Sequence, residues 1–558
     1  MTDAVPASTF ADVVRSRADD DHVALRFGDQ SWTWSQVVDE AATRAAALST
    51  VDIQGRPPHI GVLLENIPDF VFWVGAAALS GSVLVGINST RRGAELAHDI
   101  RHTGCDLIVT EAALAGLLKG IDHGVPGERV LEVDAPAYPD WLRPFEAAAL
   151  PTTVPGPSDI LLLLFSSGST GAPKAVVCTQ GRLGMLARTL AERARLTRGS
   201  VSYLAMPLFH GNSIMLNLAP SAFVGSTIAM VRRFSASGFS PDVHRYGVTY
   251  FNYVGRALSY VLSTVEDPRD RTGTLELAIG TEASLADVER FSARFGCEVS
   301  EGYGSSEGVF RLNRTPDTPA DSLGRPVGDL DVRVLDEHGV ECEPARFDDH
   351  RRLLNPDRAI GEIVAIGRAG AFEGYYRNPE AQAERVRGND FWSGDLAYRD
   401  TDGFFYFAGR SSDWLRVDSE NFAAAPIERI LERWPAAAIA LVYPVPDPRT
   451  GDQVMAAIKL RPGERFDPEG FVAFLDTQPD LGPKWRPRFV RLIEEVPTTG
   501  NNKVAKASLR RAAWVTGDPV YWRPNGDAGY QLLDPEQRDR FGAEFIEHGR
   551  AALMPVPA

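Results

Sequence analysis

Short apolar runs alternating with longer stretches of helical spacing set the pattern of this chain. Residues 59–64, 106–109, 160–164 and 202–206 read as buried strands, each a handful of apolar positions bounded by polar ones. Residues 35–48, 68–79, 93–103 and 285–295 repeat apolar side chains every three to four positions and predict helices. Such alternation predicts an α/β fold of mostly parallel sheets covered by helices. Residues 70–87 carry no charge over a length near that of a spanning helix. Gly75, Ser80, Gly81 and Ser82 interrupt them, and neither end has the basic and aromatic anchors of a membrane segment. They read instead as a buried helix over 67–79, a Gly-Ser break, and a buried strand over 82–87. Pro-, Gly- and Asp-rich pieces at 135–157 and 336–359 are expected to be connecting loops. The tail, 520–558, is charged and Pro-rich near its end, and part of it is expected to pack loosely. There is no internal repeat.

Composition narrows the class of molecule. The 558 residues are 44% apolar, enough for large cores in two or more domains. A formal charge of −16 argues against a nucleic-acid partner. Cys105, Cys178, Cys297 and Cys342 have neither metal-ligand spacing nor a disulfide pattern, which suits a reducing cytoplasm. Residues 1–21 are polar and acidic, without the basic and apolar regions of a secretory signal.

The densest chemistry follows the apolar run 160–164. Phe165-Ser166-Ser167-Gly168-Ser169-Thr170-Gly171-Ala172-Pro173-Lys174 offers hydroxyl and backbone N–H donors to an anion, and a lysine adds a point charge. The spacing is not that of a Walker A loop. It resembles the signature loop of the adenylate-forming enzymes, which include acyl-CoA synthetases. Four further segments resemble that family in the same order: Glu301-Gly302-Tyr303-Gly304-Ser305-Ser306-Glu307, Trp392-Ser393-Gly394-Asp395, Gly409-Arg410-Ser411-Ser412-Asp413 and Pro497-Thr498-Thr499-Gly500-Asn501-Asn502-Lys503. Lysine usage agrees: the chain has six lysines against 52 arginines, and Lys174 and Lys503 occupy two of the family's lysine positions.

The resemblance implies a large N-terminal domain, 1–410, binding ATP and an acyl group. A smaller, mobile α+β C-terminal domain, 411–558, would swing about a hinge at Ser412 and Asp413. It assigns Ser166, Ser167, Gly168, Ser169, Thr170, Gly171 and Lys174 to the phosphates. Gly280, Thr281, Glu282, Tyr303, Gly304 and Ser305 are assigned to the adenine side of the site, Asp395 and Arg410 to the ribose. Ser306 would contact the α-phosphate, Glu307 would hold Mg²⁺, and Lys503 would bridge carboxylate and α-phosphate as charge builds in the transition state. His210, in Pro207-Leu208-Phe209-His210-Gly211-Asn212, is placed by resemblance near the acyl pocket; as a residue it reads equally well as a hydrogen-bonded structural histidine. The implied reaction makes an acyl-adenylate and pyrophosphate; domain rotation then lets CoA attack, releasing AMP.

Residues 87–96, 251–256 and 372–375, with Ala175, resemble the very-long-chain acyl-CoA synthetase and fatty acid transport branch, and high arginine suggests a GC-rich bacterium whose enzymes also activate steroid acids. The expected substrates are therefore long-chain, very-long-chain or steroid side-chain acids. Three departures from the family pattern stand out. Gln180 replaces a common histidine, Arg416 a lysine. Ser419 stands in place of a glycine lying against CoA in relatives, where a side chain narrows the thiol's path. An acyl-AMP ligase loading a carrier protein, and a fatty-acid-binding protein with little turnover, stay open as alternatives, as does a homodimer.

Overall fold

The computed structural model describes residues 8–556 apart from 52, 54, 167–173, 256, 282, 284, 320–321, 349–352, 411–413, 418–419, 449–451, 479–480, 499–503, 525–528 and 549; for Ser166, Leu285, Arg410, Trp414, Arg416, Glu420, Asn421, Ala423 and Pro483 it describes the backbone alone. Two mainly parallel sheets dominate the first part of the chain. The nine-stranded sheet runs, from one edge to the other, through Arg325–Pro326, Arg311–Asn313, Glu298–Gly304, Leu277–Thr281, Tyr250–Val254, Val201–Leu204, Thr227–Met230, Val23–Phe27 and Gln30–Thr33. The six-stranded sheet has Val130–Glu132, Leu107–Thr110, His59–Leu63, Val83–Gly86, Ile160–Ser166 and Lys174–Thr179. Its strands are parallel until the last, which turns back antiparallel to Ile160–Ser166.

Helices between these sheets make the main core. Trp34–Leu48 starts at a capping box, Thr33 with Gln36, and buries Val37, Val38, Ala41, Ala45 and Leu48. The charge-free stretch is the helix Pro68–Ser80, started by proline in its first turn and stopped by Gly81 at φ 73°. Every residue from Phe70 to Leu79 is buried, so the all-round apolar composition reflects a core helix. Among the described residues no helix is long and apolar enough to cross a membrane. Gln180, the departure from histidine, is wholly buried. Its Oε1 accepts from Ala11 N–H at 3.0 Å while its Nε2 donates to Ala78 O at 3.0 Å, tying the N-terminal helix Phe10–Arg15 to Pro68–Ser80. An amide carries a donor and an acceptor at once, so one side chain serves both.

An antiparallel sheet of Val332–Leu335, Gly361–Ala365, Asp390–Arg399, Val386–Arg387 and Phe405–Arg410 packs next in the chain. The smaller C-terminal part holds the hairpin Trp414–Val417/Glu420–Ala423 and a five-stranded sheet from Ala437–Pro446 to Gln531–Leu532, with its own apolar clusters. Two expectations need correction. The loop expected over 135–157 contains the helix Ala137–Leu142, anchored by buried Tyr138 and Leu142. The piece 336–359 ends in a short helical turn, Pro356–Ala359. In the tail, Val520–Trp522 joins the C-terminal sheet and Pro535–Glu547 buries Phe541 and Phe545 against Phe489 and Trp514, while residues 551–554 and 556 are exposed.

Candidate functional site

The two strands flanking the Ser/Gly loop fix both its ends. Ser166 and Lys174 are Cα partners on one rung of the antiparallel pair, while residues 167–173 lie outside the described residues. Lys174 is buried; its Nζ lies 2.7 Å from Glu384 Oε2 and 5.3 Å from the centroid of the Tyr375 ring. Tyr375 is held there by the backbone. Tyr376 N–H donates to Ala175 O at 2.8 Å and Val177 N–H to Gly374 O at 3.1 Å, so segment 374–376 covers the sheet edge. Below it, Glu373 accepts from the Thr179 N–H at 2.9 Å and hydroxyl at 2.6 Å.

Tyr375 links the lysine to an acid. Its hydroxyl donates to Glu307 Oε1 at 2.6 Å, both residues being buried. Burial first, then the Glu307 carboxylate, push the Tyr375 pKa up, so it remains the donor. Glu307 lies within the turn Ser305–Gly308, which Gly308 N–H closes on Ser305 O at 3.0 Å. Arg182 donates to Ser306 O at 2.7 Å and lies where a Cβ on Gly308 would be.

Tyr303 and Asp395 meet from different sheets. The Tyr303 hydroxyl donates to Asp395 Oδ2 at 2.5 Å; burial and the carboxylate hold its pKa well above the ordinary value. Asp395 faces Arg410 across adjacent strands. Gly394, at φ 75°, donates its N–H to Glu362 Oε1 at 2.5 Å, and an added Cβ would overlap Arg385. Burial raises the Glu362 pKa against the opposing pull of that N–H and of Arg385 and Arg387. Gly280 has the Tyr253 ring packed where its side chain would be, and the Tyr253 hydroxyl donates to Glu301; Thr281 O accepts from Gly255 N–H at 3.0 Å. Gly304 ends its strand exposed.

His210 is half-buried, its ring 4.5 Å from that of Phe209, and precedes a π-helical turn, Ile214–Leu218. Beside it a polar ladder ties this helical segment to one strand of the nine-stranded sheet: Asn217 donates to Asn252 at 2.7 Å and Asn252 to Asn212 at 2.6 Å. Glu282, Ser412, Asp413, Ser419 and Lys503 lie outside the described residues.

Lys174, Tyr303, Ser306, Glu307 and Asp395 are thus joined through Tyr375, Arg182, Glu384, Arg385 and Glu362. Sequence reading gave these five linking residues no role. Tyr375 stood in a segment singled out only for its resemblance; Glu384 and Arg385 sit in an ordinary polar helix, Pro379–Arg385, with no signal to find them. Among the described residues no group of three or more His, Cys, Asp or Glu could hold a metal alone. One buried carboxylate, Glu307, does suit a Mg²⁺ ion whose remaining ligands are phosphate and water.

A family model described as AMP-binding enzyme matches residues 12–376, and one described as AMP-binding enzyme C-terminal domain matches 426–503. The chain is 48% identical to a steroid-22-oyl-CoA synthetase of Rhodococcus jostii (strain RHA1), over 98% of this chain and 99% of that protein. It is 42% identical to a medium/long-chain fatty-acid–CoA ligase of Mycobacterium tuberculosis (strain ATCC 25618 / H37Rv), over 90% of this chain and 96% of that one. Its fold is that of ATP-bound MatB from Rhodopseudomonas palustris, with a TM-score of 0.77 at 22% identity, covering 91% of this chain and 98% of that one. The chain belongs to the family of AMP-binding enzymes, among its acyl-CoA ligases.

Proposed function

We propose that this ligase activates a steroid side-chain carboxylate as acyl-AMP and transfers the acyl group to CoA, with medium- to long-chain fatty acids as the second substrate class. Lys174, Glu307, Tyr303 and Asp395 converge from four separate strands and turns, and this convergence carries the reading. The relative named for steroid-22-oyl acids spans the whole chain, which favours the steroid acid over the fatty acid.

In this reading Ser166–Gly171 and Lys174 hold the triphosphate, and Lys174 exchanges Glu384 for a phosphate oxygen. Asp395 and Arg410 orient the ribose, and Tyr303 covers the adenine while its hydroxyl fixes the Asp395 carboxylate. Glu307 would hold Mg²⁺, which would supply positive charge to offset that of the phosphates. Ser306 donates to the α-phosphate and Lys503 stabilises the charge that builds between it and the carboxylate. The Gly280–Glu282 turn borders the adenine, His210 borders the acid, and Ser419 borders the thiol's path. Domains 1–410 and 411–558 would move about Ser412 and Asp413 between the two half-reactions. Four cysteines with raised pKa values fit inert thiols of a reducing cytoplasm.

The test supplies ATP, Mg²⁺ and a panel of steroid and fatty acids, with and without CoA, and follows pyrophosphate and acyl-CoA together. Thioester that needs CoA and disappears in Lys503→Ala supports the reading. Pyrophosphate without thioester would mean a different acceptor, and neither product would overturn it.

A further inference from the structure

Two arginines share one face of the nine-stranded sheet, and among the described residues no acid balances them. Residues paired across a sheet point to the same side, and Gly302 and Gly304 are the Cα partners of Asn313 and Arg311. By the same alternation Tyr250, Leu277 and Ile279 lie on this face. They pack there against Ala194 and Leu196, which follow the helix Gln180–Arg193. That helix end brings Arg193 over the strand: its Nη2 lies 3.4 Å from where a Gly302 Cβ would sit. Neither Gly302 nor Gly304 offers a side chain, so the guanidiniums flank a bare strip of backbone that leads directly to Ser305, Ser306 and Glu307.

A cation at the last turn of a helix ordinarily answers the helix dipole and points to solvent. Arg193 departs from that. Burial lowers its pKa, and Arg311 is pulled down to about 10 by burial and by Arg193 beside it. Neither has a carboxylate partner among the described residues. Arg311 Nε, Asn313 Oδ1 and, on the neighbouring ladder, Asn217 Oδ1 are buried polar atoms without a hydrogen-bond partner among them. Two other desolvated arginines are met by acids: Arg294 has Asp270, and Arg44 has Glu40 and Asp69. A purely structural arginine at this place would be expected to follow that pattern, because an uncompensated buried cation is costly.

We propose that Arg193 and Arg311 form a second recognition point for the acid, holding an oxygen acceptor on the part of the substrate remote from the carboxylate that is activated. A carbonyl, hydroxyl or second carboxylate would accept from the two planar guanidiniums, and a carboxylate would bind most strongly. The proposal rests on the acyl-activating reading above and adds that the preferred acids carry oxygen at both ends. A site built to donate hydrogen bonds discriminates sharply against an analogue lacking the acceptor, whereas an apolar pocket discriminates weakly.

The test compares matched pairs of acids, a steroid acid with and without its distal ring oxygen and a fatty acid with a terminal methyl or a terminal carboxylate. Dissociation constants are read by calorimetry without ATP, and kcat/KM is read with ATP and CoA. The oxygenated member should bind about ten- to a hundred-fold tighter, and Arg193→Met and Arg311→Met should each bring that ratio towards one. Arg311→Lys and Arg193→Gln, which keep a donor, provide folded alternatives and should retain part of the ratio. A wild-type ratio near one, or a ratio unmoved in these variants, overturns the proposal. So does an effect confined to pyrophosphate or CoA affinity, which would make the pair a phosphate site. A binding ratio that stands without turnover would sink the ligase reading and leave the subsite; turnover with no ratio would do the reverse.

Discussion

Tyr375 donates its hydroxyl to Glu307 at 2.6 Å while its ring lies 5.3 Å from Lys174 Nζ, so one side chain sets the separation of the two charges that would face a triphosphate. Tyr375→Phe keeps the ring and removes the donor. A hydrogen bond to a charged group contributes about 1.5–3 kcal/mol, and urea unfolding should show a loss of that size. Because Glu307 would then be free to turn, the Mg²⁺ concentration for half-maximal adenylation should rise. An unchanged Mg²⁺ requirement would separate the carboxylate from the metal.

Lys174 has a competitor for any phosphate. Glu384 holds it at 2.7 Å, with the lysine side chain 4% exposed and the glutamate 49%. The pair is screened from one side, so its net strength is about 0–1 kcal/mol. Glu384→Gln should therefore lower the KM for ATP modestly, about two- to five-fold, with a smaller effect at high salt. ATP titrations at two ionic strengths would check it, and a raised KM would mean that Glu384 helps the nucleotide.

Gly394 has no room for a methyl group. At φ 75° an L-residue is strained by about 1–2 kcal/mol, and the Cβ would also overlap Arg385. Gly394→Ala should lower the melting temperature and displace Asp395 next to it. The preference for ATP over its 2′- and 3′-deoxy forms should fall with it, measured as a ratio of kcat/KM values.

Gln180 shows what replaces the family's histidine. Gln180→Leu would strand the Ala11 N–H in the core and remove one partner of Ala78 O. An unsatisfied buried group costs about 1–3 kcal/mol. The expected result is that much lost stability with little change in KM for ATP, since the residue ties helices together away from Lys174.

Acid should weaken the corner around Asp20. Burial raises its pKa, but hydrogen bonds from Arg198, from the His22 backbone and from Arg17 outweigh burial and lower it to about 2. A depressed carboxyl contributes stability above its ordinary value near 3.8 and loses it as pH falls through 2. The stability gap between the wild type and Asp20→Asn should hold near neutrality and close between about pH 4 and 2; a gap independent of pH would refute this.

Much of the framework was legible because each apolar run is long and sharply bounded. The helix expected at 93–103 is Gly93–Thr103, that at 285–295 is Leu285–Phe295, and the charge-free stretch divides into Pro68–Ser80 and Val83–Gly86 as its Gly-Ser break implies. The helix Ala137–Leu142 was hidden by Pro136 and Pro139, which read as loop but fit a helix's first turn. The α/β class emerged from the alternation of strand-like and helical stretches, and the family from motifs, since local loops carry their own chemistry. The connections between motifs did not. Arg182 under Gly308, or Arg193 over Gly302, join residues distant in sequence, and no local spacing encodes such pairs.

The strand Lys174–Thr179 is the last of its sheet, and its outer edge is closed by residues 374–376, which arrive some two hundred positions later in the chain. Until those residues are made, the edge offers unpaired backbone to any neighbour. Fragments that stop before Gly374 should therefore be prone to aggregate even though both large sheets are complete up to that point. The same segment delivers Tyr375, so closing the edge and linking Lys174 to Glu307 are one event, and a chain cut before Gly374 forfeits both.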